Sequence, residues 1–270
     1  MTKRTHRIAA LVTLLGVLAS CSDEAATGHW ADQHESVHRE AYAAHFTYSG
    51  AAGPDHWGQL SPSYSTCSEG REQSPIDLTG ARPVELEDIK FAYRPSTAAI
   101  IDHGHTVQVN LQDAGTITVG GDQYRAVEFH FHGPSEHVKD GISYPLEVHL
   151  EHRNAAGRLA IIGVFIEVGA PNAALDPMLQ QMPETEDSHA DLTEAFNLEA
   201  LLPSTRATYR YSGSLTKPPC PEMVSWFVMA TPITMSAAQI ATLTAAFPEP
   251  NNRPLQPLND RRLTLDSNAG

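Results

Sequence analysis

Basic residues are the first shortage in this chain. Its 270 residues carry 18 Lys and Arg against 32 Asp and Glu, for a formal net charge of -14. Phosphate contacts need Lys and Arg, so no nucleic-acid partner is expected. Long apolar runs are also missing: beyond the N-terminus no segment is apolar enough to span a bilayer. There is no His-Glu-x-x-His helix, which removes the usual zinc-protease arrangement. Cysteine is scarce, and the 3 present leave one unpaired in an exported protein. No internal repeat or low-complexity tract occurs. What remains is a globular composition, 41% hydrophobic with 18 Gly and 19 Pro. The length suits one large domain or two small ones, with a substantial core. The 14 His are many, and they fit a metal site.

The first 20 residues read as an address. Lys3, Arg4 and Arg7 precede an apolar run, Ile8 to Leu18, that is too short to cross a membrane comfortably. Leu18-Ala-Ser-Cys21 resembles the lipobox of bacterial lipoproteins. That resemblance implies cleavage before Cys21, lipid on its sulfur, and a place in the cell envelope on the periplasmic side, the outer membrane more than the inner. If Cys21 carries lipid, Cys67 and Cys220 remain to form one disulfide in an oxidising compartment. It would close a loop of roughly 150 residues, worth about 3–5 kcal/mol in the chain-entropy model. Residues 21–44 are small, acidic and His-bearing, with little to build a core, and read as a tether. Residues 45–266 are expected to form the domain that carries function, and 267–270 a tail.

Within that domain the pattern is mostly strands punctuated by Gly, Pro, Asn and Asp. Strands are predicted over Thr106–Leu111, Thr116–Val119, Ala126–His132, Leu146–Glu151, Leu159–Val168, Thr208–Tyr211 and Val224–Thr231. Leu159–Val168 is apolar on both faces and so central. The clearest helix is Ala237–Phe247, with Ser236 as N-cap and Gln239 completing a capping box. Leu175–Gln181 is a weaker one.

Two of these strands carry chemistry. In Glu128-Phe-His-Phe-His132, period-two alternation puts His130 and His132 on one face and the two Phe on the other. In Glu147-Val-His-Leu-Glu151, His149 shares a face with Glu147 and Glu151. If the strands are neighbours, three imidazoles converge from a rigid sheet. Three neutral nitrogen ligands and an open position suit a catalytic zinc ion.

Further motifs follow in order: Gly53-Pro-Asp-His-Trp57, Gln73-Ser-Pro-Ile-Asp77, Asp102-His-Gly-His105, Ser135-Glu-His137, Gly213-Ser-Leu-Thr216 with Pro218-Pro219, and Asn252-Arg-Pro254 with Gln256-Pro-Leu258. With the two His strands, this ordered set resembles the α-class carbonic anhydrases, in their bacterial exported branch, over about 45–265. The resemblance implies a fold that is mainly β with few short helices, a single domain around a large, mostly antiparallel twisted sheet. It also implies a conical cleft reaching down to Zn2+.

The implied reaction is the reversible hydration of CO2 to bicarbonate and a proton (EC 4.2.1.1). Three neutral His leave zinc its full charge, which lowers the pKa of bound water to about 7; carbonic anhydrase is itself the reference case for that value. The resemblance makes His130, His132 and His149 the ligands, and puts Glu147 behind His149. Thr216 would orient the hydroxide and Glu136 would accept the proton of the Thr216 hydroxyl. His105 would relay protons to solvent, a task suited to a flexible group with a pKa near 7. Tyr48 matches a Tyr that orders cleft water, while Phe46 stands where Trp is common. Ile161, Leu215 and Trp226 would line the CO2 pocket.

Three positions depart from the family pattern. Glu128 replaces a Gln that bonds a ligand His. Glu151 sits where an apolar pocket residue is usual. Lys217 follows Thr216 where a neutral residue is common. A lone carboxylate in an apolar pocket is costly, so Glu151 is expected either to pair, with Lys217 as partner, or to turn to water in a wider cleft. The alternatives to a carbonic anhydrase are a weakened, zinc-containing envelope binding module and an esterase with CO2 hydration secondary. A homodimer is compatible with this pattern.

Overall fold

The computed structural model describes residues 44–247 and 249–266. The expected leader (1–20), Cys21 with its expected lipid, all of the expected tether but Ala44, and the expected tail (267–270) lie outside the described residues. Among those described, strands dominate and helices are short, as the patterning predicts. In chain order the strands are β1 (Arg82–Pro83), β2 (Lys90–Tyr93), β3 (Ala98–Asp102), β4 (Val107–Leu111), β5 (Gly115–Val119), β6 (Asp122–His132), β7 (Leu146–Asn154), β8 (Leu159–Val168), β9 (His189–Asp191), β10 (Thr208–Ser214), β11 (Glu222–Met229), β12 (Ile233–Met235) and β13 (Thr264–Asp266). They form one sheet in the order β1-β13-β10-β11-β8-β7-β6-β4-β3-β9, with β12 on β8 and β5 joining β2 to β6.

Most pairings are antiparallel, but β8 runs parallel to both β11 and β12, and β1 to β13. β8 is central, and a strand buried on both faces reads as an unbroken apolar run. The strands that periodicity did not reveal are β1, β2, β3, β9, β12 and β13. All are short or half-exposed except β3, whose Ala-Ala-Ile-Ile run has no alternation to read.

The sheet separates two apolar layers. Phe129, Phe131, Val148, Leu150, Ile162 and Val164 pack into one core, on the face away from the histidines. Ile161, Phe165, Val224, Trp226 and Val228 belong to another on the opposite face. A third, small cluster of Trp57, Tyr64, Cys67 and Cys220 carries the disulfide, with a Cα–Cα distance of 5.0 Å across 153 residues of sequence.

The capping box is present: Ser236 Oγ accepts the Gln239 N–H and the Gln239 side chain accepts the Ser236 N–H. The helix ends at Thr244 rather than Phe247. Pro248 follows, and the residue before a proline is pushed out of the α conformation. Leu175–Gln181 divides into a 3-10 turn, Ala173–Leu175, and a short helix, Asp176–Gln180.

Candidate metal centre and its cleft

β6 and β7 pair so that His130 stands directly opposite His149, and His132 opposite Glu147. The cross-strand row therefore brings the three imidazoles together on the face away from the Phe core. One ring nitrogen from each of His130, His132 and His149 lies within 4.8 Å of the others, and all three residues are buried.

The remaining nitrogen of each ring is engaged. His130 Nδ1–H donates to Glu128 at 3.0 Å. His132 Nδ1–H donates to the Asn251 carbonyl at 2.8 Å. His149 Nε2–H donates to Glu147 at 3.0 Å. Fixing the proton on one nitrogen leaves the lone pair on the other. Those lone pairs face a common point. His132 Nε2 is buried with no hydrogen-bond partner among the described residues. Burial, with neighbouring positive charge adding to it, holds His130 and His132 well below the ordinary imidazole range, in the neutral form that a metal requires. An orphaned buried nitrogen beside two others is a site that a zinc ion fits.

Glu147 sits at the hinge of a longer network. Burial opposes its ionisation, but the electrostatic attraction and hydrogen bonds of His137 and His149 outweigh burial and hold its pKa well below the carboxylate range. His137 Nδ1–H donates to Glu147 at 2.7 Å, and the His137 backbone N–H donates at 2.8 Å. His137 Nε2 accepts from Tyr211, whose hydroxyl also meets Ser74. Gly163 makes room for this carboxylate: a Cβ there would stand 2.9 Å from Glu147 Oε1.

Thr216 is buried beside the triad on the segment after β10. Trp226 Nε1–H donates to Ser214 O, Leu215 N–H to Pro221 O and Cys220 N–H to Lys217 O, and Cys220 is bonded to Cys67. Glu136 Oε2 lies 3.5 Å from His132 Nε2, and its Oε1 accepts the Arg253 N–H at 2.8 Å. Burial pushes Glu136 up to about 8, against the Arg253 and Thr216 bonds that favour its charged form. A nearby divalent cation acts in the same direction as those bonds.

Glu151 is not turned to water, and it has a hydrogen-bond partner besides the Lys217 that was expected. It is 4% exposed, and its Oε1 accepts from Arg153 Nη2 at 3.1 Å. Arg153 is two residues further along the same strand face, so its guanidinium folds back within reach. Lys217 acts on Glu151 and Glu128 through its charge, lowering both against burial. His105, the expected proton relay, is half-buried. Its ring packs on Phe46 and Tyr48, with centroids 5.3 and 5.9 Å away. Burial, then the charge of Lys217, then His103, lower it to about 3. In this position it is not a group that titrates near neutrality.

Glu128, Glu151, Ile161 and Trp226 form a single cross-strand row, with Leu215 packed against the apolar cluster that holds Ile161 and Trp226. Sequence reasoning assigned no role to His137, Asn251, Arg153 or Gly163. Arg153 was within reach of period-two counting from His149. Asn251 was not: its backbone holds His132, while its side chain bonds Gly133, His105 and Phe131, contacts that only the fold creates.

The family model of the eukaryotic-type carbonic anhydrases matches residues 52–267. This chain belongs to the carbonic anhydrase family. A carbonic anhydrase of Pectobacterium atrosepticum is 40% identical over 219 residues, covering 81% of this chain and 90% of that relative. Among solved structures, the α-carbonic anhydrase of Thermovibrio ammonificans, in complex with sulfanilamide, superposes with a TM-score of 0.81 at 40% identity, covering 83% of this chain and 100% of that one. A dioscorin complexed with ascorbate shares the fold at 32% identity, with a TM-score of 0.77, covering 82% of this chain and 97% of that one. Family and fold together make this protein a carbonic anhydrase and CO2 hydration its reaction.

Proposed function

We propose that this carbonic anhydrase works with one zinc ion held by His130, His132 and His149. The observation that carries the reading is the triad itself: three ring nitrogens within 4.8 Å of one another, each ring fixed from behind, and one of them otherwise unsatisfied. Zinc there supplies Lewis acidity, which makes water a nucleophile near neutral pH, an effect for which carbonic anhydrase is the standard case.

The chain's own groups do the rest. Water oxygen adds to the carbon of CO2, one C=O π pair moves to oxygen, and one proton must leave. Thr216 accepts the O–H of the nucleophile and donates its own hydroxyl to Glu136. That direction fixes which lone pair points at CO2. Ile161, Leu215 and Trp226 offer the carbon dioxide an apolar wall. The proton departs along the cleft past His105. In its packed position that ring is a poor carrier at neutral pH, so water or buffer takes the proton.

CO2 hydration by metal-quantified protein, measured across pH with and without chelator, tests the reading. Activity proportional to bound zinc supports it. Stoichiometric zinc without hydration supports instead the binding-module reading, which Glu151 and Lys217 in the pocket favour. A higher specificity constant for an aryl ester than for CO2 supports the esterase reading. The proposal extends to the envelope: lipid on Cys21 would tether the enzyme to a membrane outside the cytoplasm, and intact-mass measurement of the membrane fraction checks it. A homodimer is tested by light scattering.

A further inference from the structure

Each ring of the triad is held by an acceptor, and each acceptor is itself held. The Asn251 carbonyl behind His132 is fixed by the Asn251 side chain, which binds Gly133, His105 and Phe131. Glu147 behind His149 is fixed by two N–H groups of His137. For Glu128, behind His130, the support is different. Glu128 stands directly opposite Glu151 on β7, and their carboxyls meet within hydrogen-bonding range. Cross-strand partners are the closest neighbours a sheet provides. Glu151 in turn is anchored through Oε1 to Arg153 at 3.1 Å. Both Glu are buried, at 4% exposure, whereas the Arg153 side chain is 35% exposed. The pair continues the register of His130 and His149, and period-two alternation puts the carboxyl row and the histidine row on the same face of the sheet.

We infer that Glu151 and Arg153 are positioning residues for the first metal ligand: with Glu128 they form a chain of side chains from the protein surface to His130 that fixes the orientation of that ring and so tightens the hold on the metal. This rests on the zinc reading above. It gives a reason for acidic residues at two places where an apolar or amide side chain would otherwise stand. The pair is retained as a support for a ligand, and the charge of Arg153 makes its burial tolerable. Outer partners of metal-bound histidines typically change metal affinity by about 10–100-fold.

The test uses the full chain loaded with zinc, and variants E151V, E151Q, R153M and the wild type. Zinc dissociation constants come from competition with a chelator. Ligand imidazole N–H resonances come from proton NMR of the zinc form. E151V and R153M are expected to weaken zinc binding about tenfold and to shift the His130 N–H resonance while leaving those of His132 and His149 in place. E151Q keeps a hydrogen bond to Glu128 and is expected to stay within about twofold of wild type. R153M changes a half-exposed side chain, so it reports even where E151V does not fold. Wild-type affinity in both E151V and R153M, or equal shifts of all three resonances, would overturn the inference. So would E151Q behaving as E151V. A wild type that binds no zinc removes the zinc reading itself, a separate result.

Discussion

Glu147 grips His149 through Nε2, at 3.0 Å from Oε1, and so turns Nδ1 of that ring toward Glu136, 3.9 Å away, and toward the other two histidines. Removing the grip should free the ring. E147A is expected to weaken zinc binding by about 10–100-fold, and E147Q, which keeps an acceptor, by less. Chelator competition measures both. Equal affinity in E147A and wild type would place Glu147 outside the metal centre.

Thr216 is buried beside Glu136, on a segment tied down at Ser214, Leu215 and Cys220. T216A is expected to lower kcat/KM for CO2 by about 100-fold through loss of orientation, with zinc content unchanged. T216S keeps the hydroxyl and should retain most of the rate. Stopped-flow hydration assays distinguish these outcomes. Equal rates in T216A and wild type would rule out the orienting role.

His105 is expected to stay neutral through pH 5–8, because burial, Lys217 and His103 all lower it. A positive charge nearby disfavours imidazolium, so K217A should raise its pKa; a histidine NMR titration reads this directly. H105A should cost well under the about 100-fold that a working acid–base group contributes. A larger loss would mean that the ring leaves its packing on Phe46 and Tyr48 during turnover.

His152 lies on the other face of β7, fully buried, with Nδ1–H donating to Leu150 O and Nε2 accepting from Tyr93. Burial lowers it from 6.5 to about 4. Between those values the unfolded chain binds a proton that the folded one refuses, so stability rises with pH across the window and is lost as pH falls. At 1.36 kcal/mol per unit the full effect is roughly 3 kcal/mol. Urea unfolding at pH 4 and pH 6.5 should show a shallower pH dependence in H152N than in wild type. An identical slope would remove His152 from the acid sensitivity.

The Cys67–Cys220 bridge joins the small aromatic cluster to the segment carrying Thr216 and Lys217. Replacing both by Ser is expected to lower stability by about 3–5 kcal/mol, on the chain-entropy model for a loop of this length. Denaturant midpoints with and without reductant check it. Insensitivity of the wild type to reductant, with thiol labelling proving reduction, would contradict the estimate.

The sequence by itself determined the face of each histidine and the capped helix at Ser236. Strand alternation and helix capping are local rules, and they act through neighbours two to four residues apart. The ordered motifs added the family resemblance and with it the Thr216–Glu136 pair. Only the tertiary structure decided what stands behind each ring. Asn251 reaches His132 across 119 residues of sequence, and Arg253 reaches Glu136 across 117. Pairing of that range comes from strand order and loop packing, which no local pattern encodes. For Glu151 both levels contribute: its inward direction and its nearness to Arg153 were legible from period two, while the charge of Lys217 is brought to it only by the fold.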